Sequence, residues 1–307
     1  MPGRTTLYGL IDRNKRNTVF FIILFTIILA LVGYVLGQAM GWGTGFYLLF
    51  GLFIVAYNLI LYYNSDKLAL AVSGARPADS AEFRQLHNVV EEVAIAAGVP
   101  KPRVYIIESD MPNAFATGRN PQHASIAVTR GLLELMNRDE LQGVVAHEMA
   151  HIKNYDILLM TVVAIIGGLL ILFRDVFLRW GLWGGGSRRR SSSRSGGQLG
   201  IIMLAAALVL AILAPLLVAL IRAAVSRQRE YLADASGALI VRNPDGLASA
   251  LTRLGNWRGK MAGASQATAH LFIASPFGQD RRESSGPFDS HPPLSERVRR
   301  LRELTIP

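Results

Sequence analysis

The chain has 307 residues, of which 51% are hydrophobic and 18% charged, against about a quarter charged in an ordinary soluble domain. Its net charge is +10, yet residues 18–63, 157–173 and 199–221 contain no Asp, Glu, Lys or Arg. A cysteine count of 0 excludes disulfide scaffolds, thiolate zinc sites, iron–sulfur clusters and cysteine nucleophiles, so a metal here must rest on His, Asp or Glu.

The first uncharged block is interrupted only by the glycine-rich turn 41–45, so it reads as two apolar helices, 18–40 and 46–63, paired as a transmembrane hairpin. A cleaved secretory leader has an apolar core of about 7–15 residues and a small-residue cleavage site. The longer core and the second span directly behind it favour the hairpin. Arg4, Arg13, Lys15 and Arg16 precede the first span, which assigns the basic segment 1–17 to the cytosol and brings the chain back there for residues 64–156. Trp42, Phe46 and Tyr47 at the turn, with Tyr62 and Tyr63 at the far end, suit the aromatic belts of a bilayer.

Within 64–156 the pattern predicts a helix over 78–97, stopped by Gly98 and Pro100, and short strands over 104–107 and 125–128. A further helix follows. Asn137 with Glu140 three residues on is a capping box, and Leu141, Val144, Val145 and Met149 recur at helical spacing. This helix carries His147-Glu148-x-x-His151. Imidazoles four residues apart share one face and can bind one zinc, with Glu148 beside them as general base. A metzincin would continue with Gly at 154 and His at 157, and Asn154 and Ile157 exclude that class. His87, His123 and His270 have no ligand spacing and read as surface or core residues.

Residues 157–173 and 199–221 are a third and fourth apolar stretch, separated by the Gly/Ser/Arg loop 181–198. If both span, Arg188, Arg189, Arg190 and Arg194 of the loop lie outside the cell, against the positive-inside rule. The third stretch, as helix, is about 25 Å long, short of a ~30 Å hydrocarbon core, so a shallow re-entrant pair is the alternative. The loop has the composition of a solvated linker, with contact to anionic lipid headgroups as the sharper reading. No aromatic interleaving points to nucleic acid. Next comes Arg227-Gln-Arg-Glu230-Tyr-Leu-Ala-Asp234, where Glu230 and Asp234 lie one helical turn apart. Such a pair can supply a zinc carboxylate and an acceptor for a ligand imidazole N–H, or it can be a surface ion-pair stretch among arginines. Continuous helix from His151 to Ile157, and from Ile221 to Glu230, would set a zinc about 9–14 Å from the apolar boundary.

The hairpin, the segment Pro112-Asn113-Ala114-Phe115-Ala116, the His-Glu-x-x-His helix, two further apolar stretches, Arg-x-x-Glu-x-x-x-Asp and a late Ser290-His291-Pro292-Pro293-Leu294-Ser-Glu-Arg297 occur in that order. Together they resemble the HtpX family of bacterial membrane zinc metalloproteases, distant relatives of the CaaX-type prenyl-protein endoproteases. The resemblance covers nearly the whole chain, the Arg/Ser loop excepted. It implies one zinc per chain, with Glu230 as third ligand beside His147 and His151 and with Asp234 as the supporting neighbour. It also implies that Asn113 and Ala114 lie beside the substrate backbone, and that His291 and Arg297 reach the catalytic face. His291 there would hydrogen-bond the tetrahedral oxyanion. Read from the residues alone, His291 belongs to a helix-start loop, since Pro292 and Pro293 precede an amphipathic Leu294, Val298, Leu301 stripe.

The expected fold is α+β: a mostly helical, zincin-like metalloprotease domain formed by residues 64–156 and 222–307. It is anchored by the transmembrane helices of the 18–63 hairpin and by the two hydrophobic segments within 157–221. The activity implied is zinc-dependent endoproteolysis, with Glu148 as catalytic base. Membrane-protein or unfolded polypeptide segments are the expected substrates, in membrane-protein quality control. The location implied is the bacterial inner membrane, crossed several times, with the catalytic domain on the cytosolic side. A transporter would place ionisable groups inside the apolar stretches, which hold none, and a silent zinc scaffold has no use for a base at Glu148.

Overall fold

Apolar side chains on nearly every face give the two N-terminal helices no water-facing side, and they pair with each other. The structure, a computed structural model, describes residues 7–163, 227–261, 269–277 and 292–305. Helices α1 (Leu7–Met40) and α2 (Thr44–Val72) run antiparallel. Asn58 donates to the Thr26 hydroxyl at 3.1 Å, and Gln38 donates to Tyr47 at 3.1 Å across the pair. Gly33 lets Phe50 seat against the α1 backbone, since a Cβ there would come 2.1 Å from the ring. Among the described residues, α2 is the helix long and apolar enough to cross a membrane. It presents Leu48, Leu49 and Leu52 outward at 71%, 70% and 66% exposure.

Beyond Tyr63, α2 does not stop but enters the protein. Its last turns bury Ser65, Asp66, Ala69 and Leu70, and Ala69 and Leu70 pack with Ile107, Phe115, Ala127, Met160 and Phe272. Arg103 pairs with Asp66, and the Arg119 guanidinium lies 5.3 Å from the Tyr63 ring centroid, so two cations fix this helix end. The sheet that it meets has the order β1-β2-β4-β3. Its strands are β1 (Ala75–Pro77), β2 (Arg103–Ile107), β3 (Ala114–Gly118) and β4 (Ala124–Thr129). The strands β2 and β4 are parallel, and the other pairs are antiparallel. The sequence pattern predicts β2 and β4 but not the two edge strands. Strand β1 is three residues with a proline, and β3 is buried at every position, so neither shows a half-buried alternation.

Helix α3 (Arg84–Ala97) starts later than the pattern suggests, because the Asp79 carboxylate accepts from the Ala81 and Glu82 N–H groups and makes a turn first. It ends at Gly98, whose φ is 68°. After a short α4 (Arg130–Leu135) comes α5 (Arg138–Lys153), opened by the expected capping box between Asn137 and Glu140. Among the described residues beyond 163 lie the helices α6 (Arg227–Val241), α7 (Pro244–Asn256) and α8 (Leu294–Arg302). Helix α5 is the hub, packed on α3, β3, α6 and α7. Gly237 brings the α6 backbone against α5, where a Cβ would stand 2.9 Å from the His147 backbone nitrogen.

The continuity expected between the His147–His151 helix and the third apolar stretch is not observed. Helix α5 stops at Lys153, Tyr155 has a φ of 59°, and a new helical stretch covers 156–163. Within it Ile157 and 159–163 are buried, so this part of the apolar stretch faces protein. The distance rule drawn from an unbroken helix therefore fails on this side. Residues 164–173 and 199–221, the loop 181–198 and His291 lie outside the described residues.

Candidate active site

Helix periodicity puts His147 and His151 on one face of α5, and the packing of α6 places Glu230 opposite them. The two Nε2 atoms are 3.2 Å apart, and Glu230 oxygens stand 3.5 Å from His151 Nε2 and 3.8 Å from His147 Nε2. The rings are perpendicular. All three side chains are buried.

What aims those nitrogens is the pair of carboxylates behind them. His147 Nδ1 lies 2.9 Å from Asp234, and His151 Nδ1 lies 3.1 Å from Asp156. An ionised carboxylate only accepts, so each Nδ1 carries the proton and each Nε2 offers a lone pair to the common centre. Two imidazole nitrogens and one carboxylate oxygen converging in this way are a donor set that would suit zinc. The residues present thus fit the metal.

Buried charges around the centre are matched. Arg297 is fully buried and grips Asp234 with two bonds, Nε at 2.8 Å and a terminal nitrogen at 2.7 Å. It also donates to the Ile273 carbonyl at 3.2 Å and stands 3.7 Å from Glu230. Burial alone would lift the Asp234 carboxyl, but Arg297 and His147 hold it down at about 2. Burial, helped by the Arg297 cation, pushes His147 down to about 4, which keeps it neutral. For His151 burial also acts downward, and the Asp156 hydrogen bond with the charges of Glu230, Asp156 and Glu148 outweighs it, raising the group to about 9, so a metal ion at the centre competes with a proton for its Nε2 lone pair. Glu148 is 2% exposed and is lifted to about 7 by burial, against a hydrogen bond from the Ala116 backbone N–H of β3.

Asn113 and Ala114 enter β3 beside this centre. The Asn113 amide donates to the Ala274 carbonyl at 2.8 Å, and the Ile273 N–H donates to the Ala114 carbonyl at 3.0 Å. Residues 273–274 thus lie along the start of β3, and Asn113 holds them there. Arg297, expected at the catalytic face, turns its donors to Asp234 and the Ile273 carbonyl and stands 3.4 Å from the His147 ring nitrogens. Reading of the residues did not single out Asp156 or Arg229, whose Nε lies 3.1 Å from Asp156. The available signal was two opposite charges, an Asp five residues after His151 and an Arg one before Glu230. His87 and His123 bond to Ala78 and Asn120, and His270 lies against the Met160 carbonyl, all away from the centre.

The model of peptidase family M48 matches residues 80–305. A Protease HtpX homolog of Caldanaerobacter subterraneus subsp. tengcongensis is 57% identical over 99% of this chain and 99% of its own length. One from Thermoanaerobacter pseudethanolicus is 54% identical over 99% of this chain and 100% of its own. The crystal structure of S. mikatae Ste24p is similar with a TM-score of 0.48 and 20% identity, covering 96% of this chain and 67% of that one. With a family match over most of its length and relatives of this identity, the chain belongs to peptidase family M48, as a membrane metalloprotease of the HtpX kind.

Proposed function

We propose that the protein is a zinc-dependent endopeptidase with one zinc per chain, held by His147, His151 and Glu230, which cuts cytosolic segments of membrane proteins. The observation that carries this reading is the convergence of two oriented imidazoles and a carboxylate, with Glu148 buried on the same helix. A zinc ion bound there supplies Lewis acidity to a water and to a peptide carbonyl. Glu148, lifted towards neutrality by burial, takes the water's proton and can return it to the leaving amine. The Ala116 N–H keeps the Glu148 carboxylate beside β3. Asp234 and Arg297 hold His147, and Asn113 keeps residues 273–274 in place against β3, where Ala114 lies. His291 remains the candidate oxyanion donor.

The supporting argument for membrane-borne substrates is the course of α2. At 1.5 Å per residue, Leu70 in the protease core is about 10 Å along the helix from Tyr63, so the sheet begins close to the apolar surface. The cations Arg4, Arg13, Lys15 and Arg16 ahead of the first apolar stretch favour a cytosolic catalytic domain in a bacterial inner membrane crossed more than once. Membrane-protein or unfolded segments that leave the bilayer are then the accessible substrates, which suits a quality-control role. The Arg-rich loop 181–198 supplies the charge for contact with anionic lipids.

Detergent-purified protein, assayed for zinc content and for casein cleavage, tests the chemistry. Reconstituted substrates carrying one cleavable sequence at graded distances from the last span test the location. Cleavage concentrated within roughly ten residues of the membrane, about 15 Å as helix, is expected. Indifference to distance would remove the membrane-proximal reading.

A further inference from the structure

The two zinc-ligand imidazoles are held by matching constructions, and only one of them has an assigned purpose. Behind His147 stand Asp234 and Arg297; behind His151 stand Asp156 and Arg229. Asp156 is 1% exposed and Arg229 7% exposed, so both charges of the second pair are out of water. A buried ion pair is a poor source of net stability, because desolvation consumes most of its Coulombic gain.

The chain is bent to make this contact. In an unbroken helix the residue five after His151 would be turned about 140° away from it and could not reach Nδ1. Tyr155 at φ 59° reverses that relation, in a left-handed conformation that disfavours a non-glycine residue. Asp156 then turns one oxygen to His151 Nδ1 and the other to the Arg229 Nε, each at 3.1 Å. Arg229 directly precedes Glu230 on α6, and neighbours on a helix point about 100° apart. One residue therefore faces the metal centre while the other faces the end of α5.

We infer that Asp156 and Arg229 are positioning residues of the metal centre. Asp156 fixes the tautomer and angle of His151, and Arg229 couples that carboxylate to the helix that delivers Glu230. The pair links the end of α5 to α6 on the Tyr155 side, whereas on the other side Asp234 of α6 reaches His147 of α5 directly and is itself held by Arg297 of α8. This inference rests on the zinc reading proposed above, and it assigns to α6 all three tasks: the third ligand and one member of each orienting pair.

The test uses the full chain in detergent, with Asp156→Asn and Arg229→Gln. Zinc affinity is measured by chelator competition, the visible spectrum is recorded after cobalt substitution, and kcat and KM are determined separately on a casein-derived peptide. Loss of such an outer carboxylate costs about 10- to 100-fold in metal affinity. Asp156→Asn should fall in that range, with an altered cobalt spectrum, lower kcat and KM within about threefold; Arg229→Gln should move each readout the same way by less, and Arg229→Lys should restore part of it. Zinc affinity and cobalt spectrum equal to the parent's in folded Asp156→Asn would overturn the inference. If that variant does not fold, Arg229→Gln decides by the same criterion. A parent chain that binds no zinc would instead overturn the metal assignment, and this inference with it.

Discussion

The α1–α2 pair and the α5–α6 pair are built on opposite rules. In the first, leucines at 71%, 70% and 66% exposure face outward, and the few polar side chains, Asn58, Thr26 and Gln38, bond within or across the pair. In the second, His147, Glu148, His151, Glu230 and Arg297 lie at 2% exposure or less between helices. Apolar surface of that kind is what lipid would accept without cost, in keeping with α2 being long and apolar enough to cross a membrane, whereas a water-free protein interior accepts charge only when it is matched. Function sits where the matching is densest.

The comparison breaks most visibly at the metal centre. Glu230→Ala should remove both zinc and hydrolysis, while Glu148→Gln should keep stoichiometric zinc and lose about 10²- to 10⁴-fold in kcat. Zinc content by elemental analysis beside casein turnover separates the two, and full zinc in Glu230→Ala would refute the ligand assignment. Because the base must be ionised and burial lifts Glu148 to about 7, kcat/KM should fall as the pH drops below about 7. A bound cation can only move that limb lower, so a limb well above pH 7 belongs to another group.

Next in size is Arg297→Met, which leaves Asp234 buried without its cation. A cost of about 3–5 kcal/mol in stability is expected, read from denaturant unfolding in detergent, together with weaker zinc binding. Gly237→Val should follow, at about 1–3 kcal/mol, since a side chain there meets the α5 backbone at His147. A variant that unfolds normally but releases zinc faster would show that this close approach serves the ligands more than the fold.

The hairpin should respond far less to a comparable insult. Asn58→Leu deletes the bond to Thr26, and hydrogen bonds between membrane helices average about 0.6 kcal/mol, so thermal unfolding should barely shift. A large loss would mean that the polar contact specifies the pairing. Smallest of all is the exposed cluster in which Arg130 and then Arg76 hold Glu108 at about 2. A lowered carboxyl stabilises above its ordinary range and loses that contribution as pH falls through about 2. Glu108→Gln should therefore lower Tm slightly at pH 7 and leave it unchanged near pH 2.

The sequence by itself determined what depends on local periodicity or on residue chemistry. The uncharged block 18–63 and its glycine turn announce the hairpin, and the Asn137–Glu140 cap starts α5 where it is observed. The four-residue spacing of His147 and His151 also suffices to place both on one face. Tertiary structure decided what depends on partners distant in the chain. Strand β3 shows no alternation because both of its faces are covered, so its pattern carries no period to read. Glu230 joins His147 across 83 positions only because Gly237 admits the α6 backbone against α5. The break at Tyr155 had no glycine or proline to announce it, only the Asn154 cap, yet it is what turns Asp156 towards His151. Spacing fixes which residues share a helix face; packing fixes which faces meet, and the metal centre lies at such a meeting.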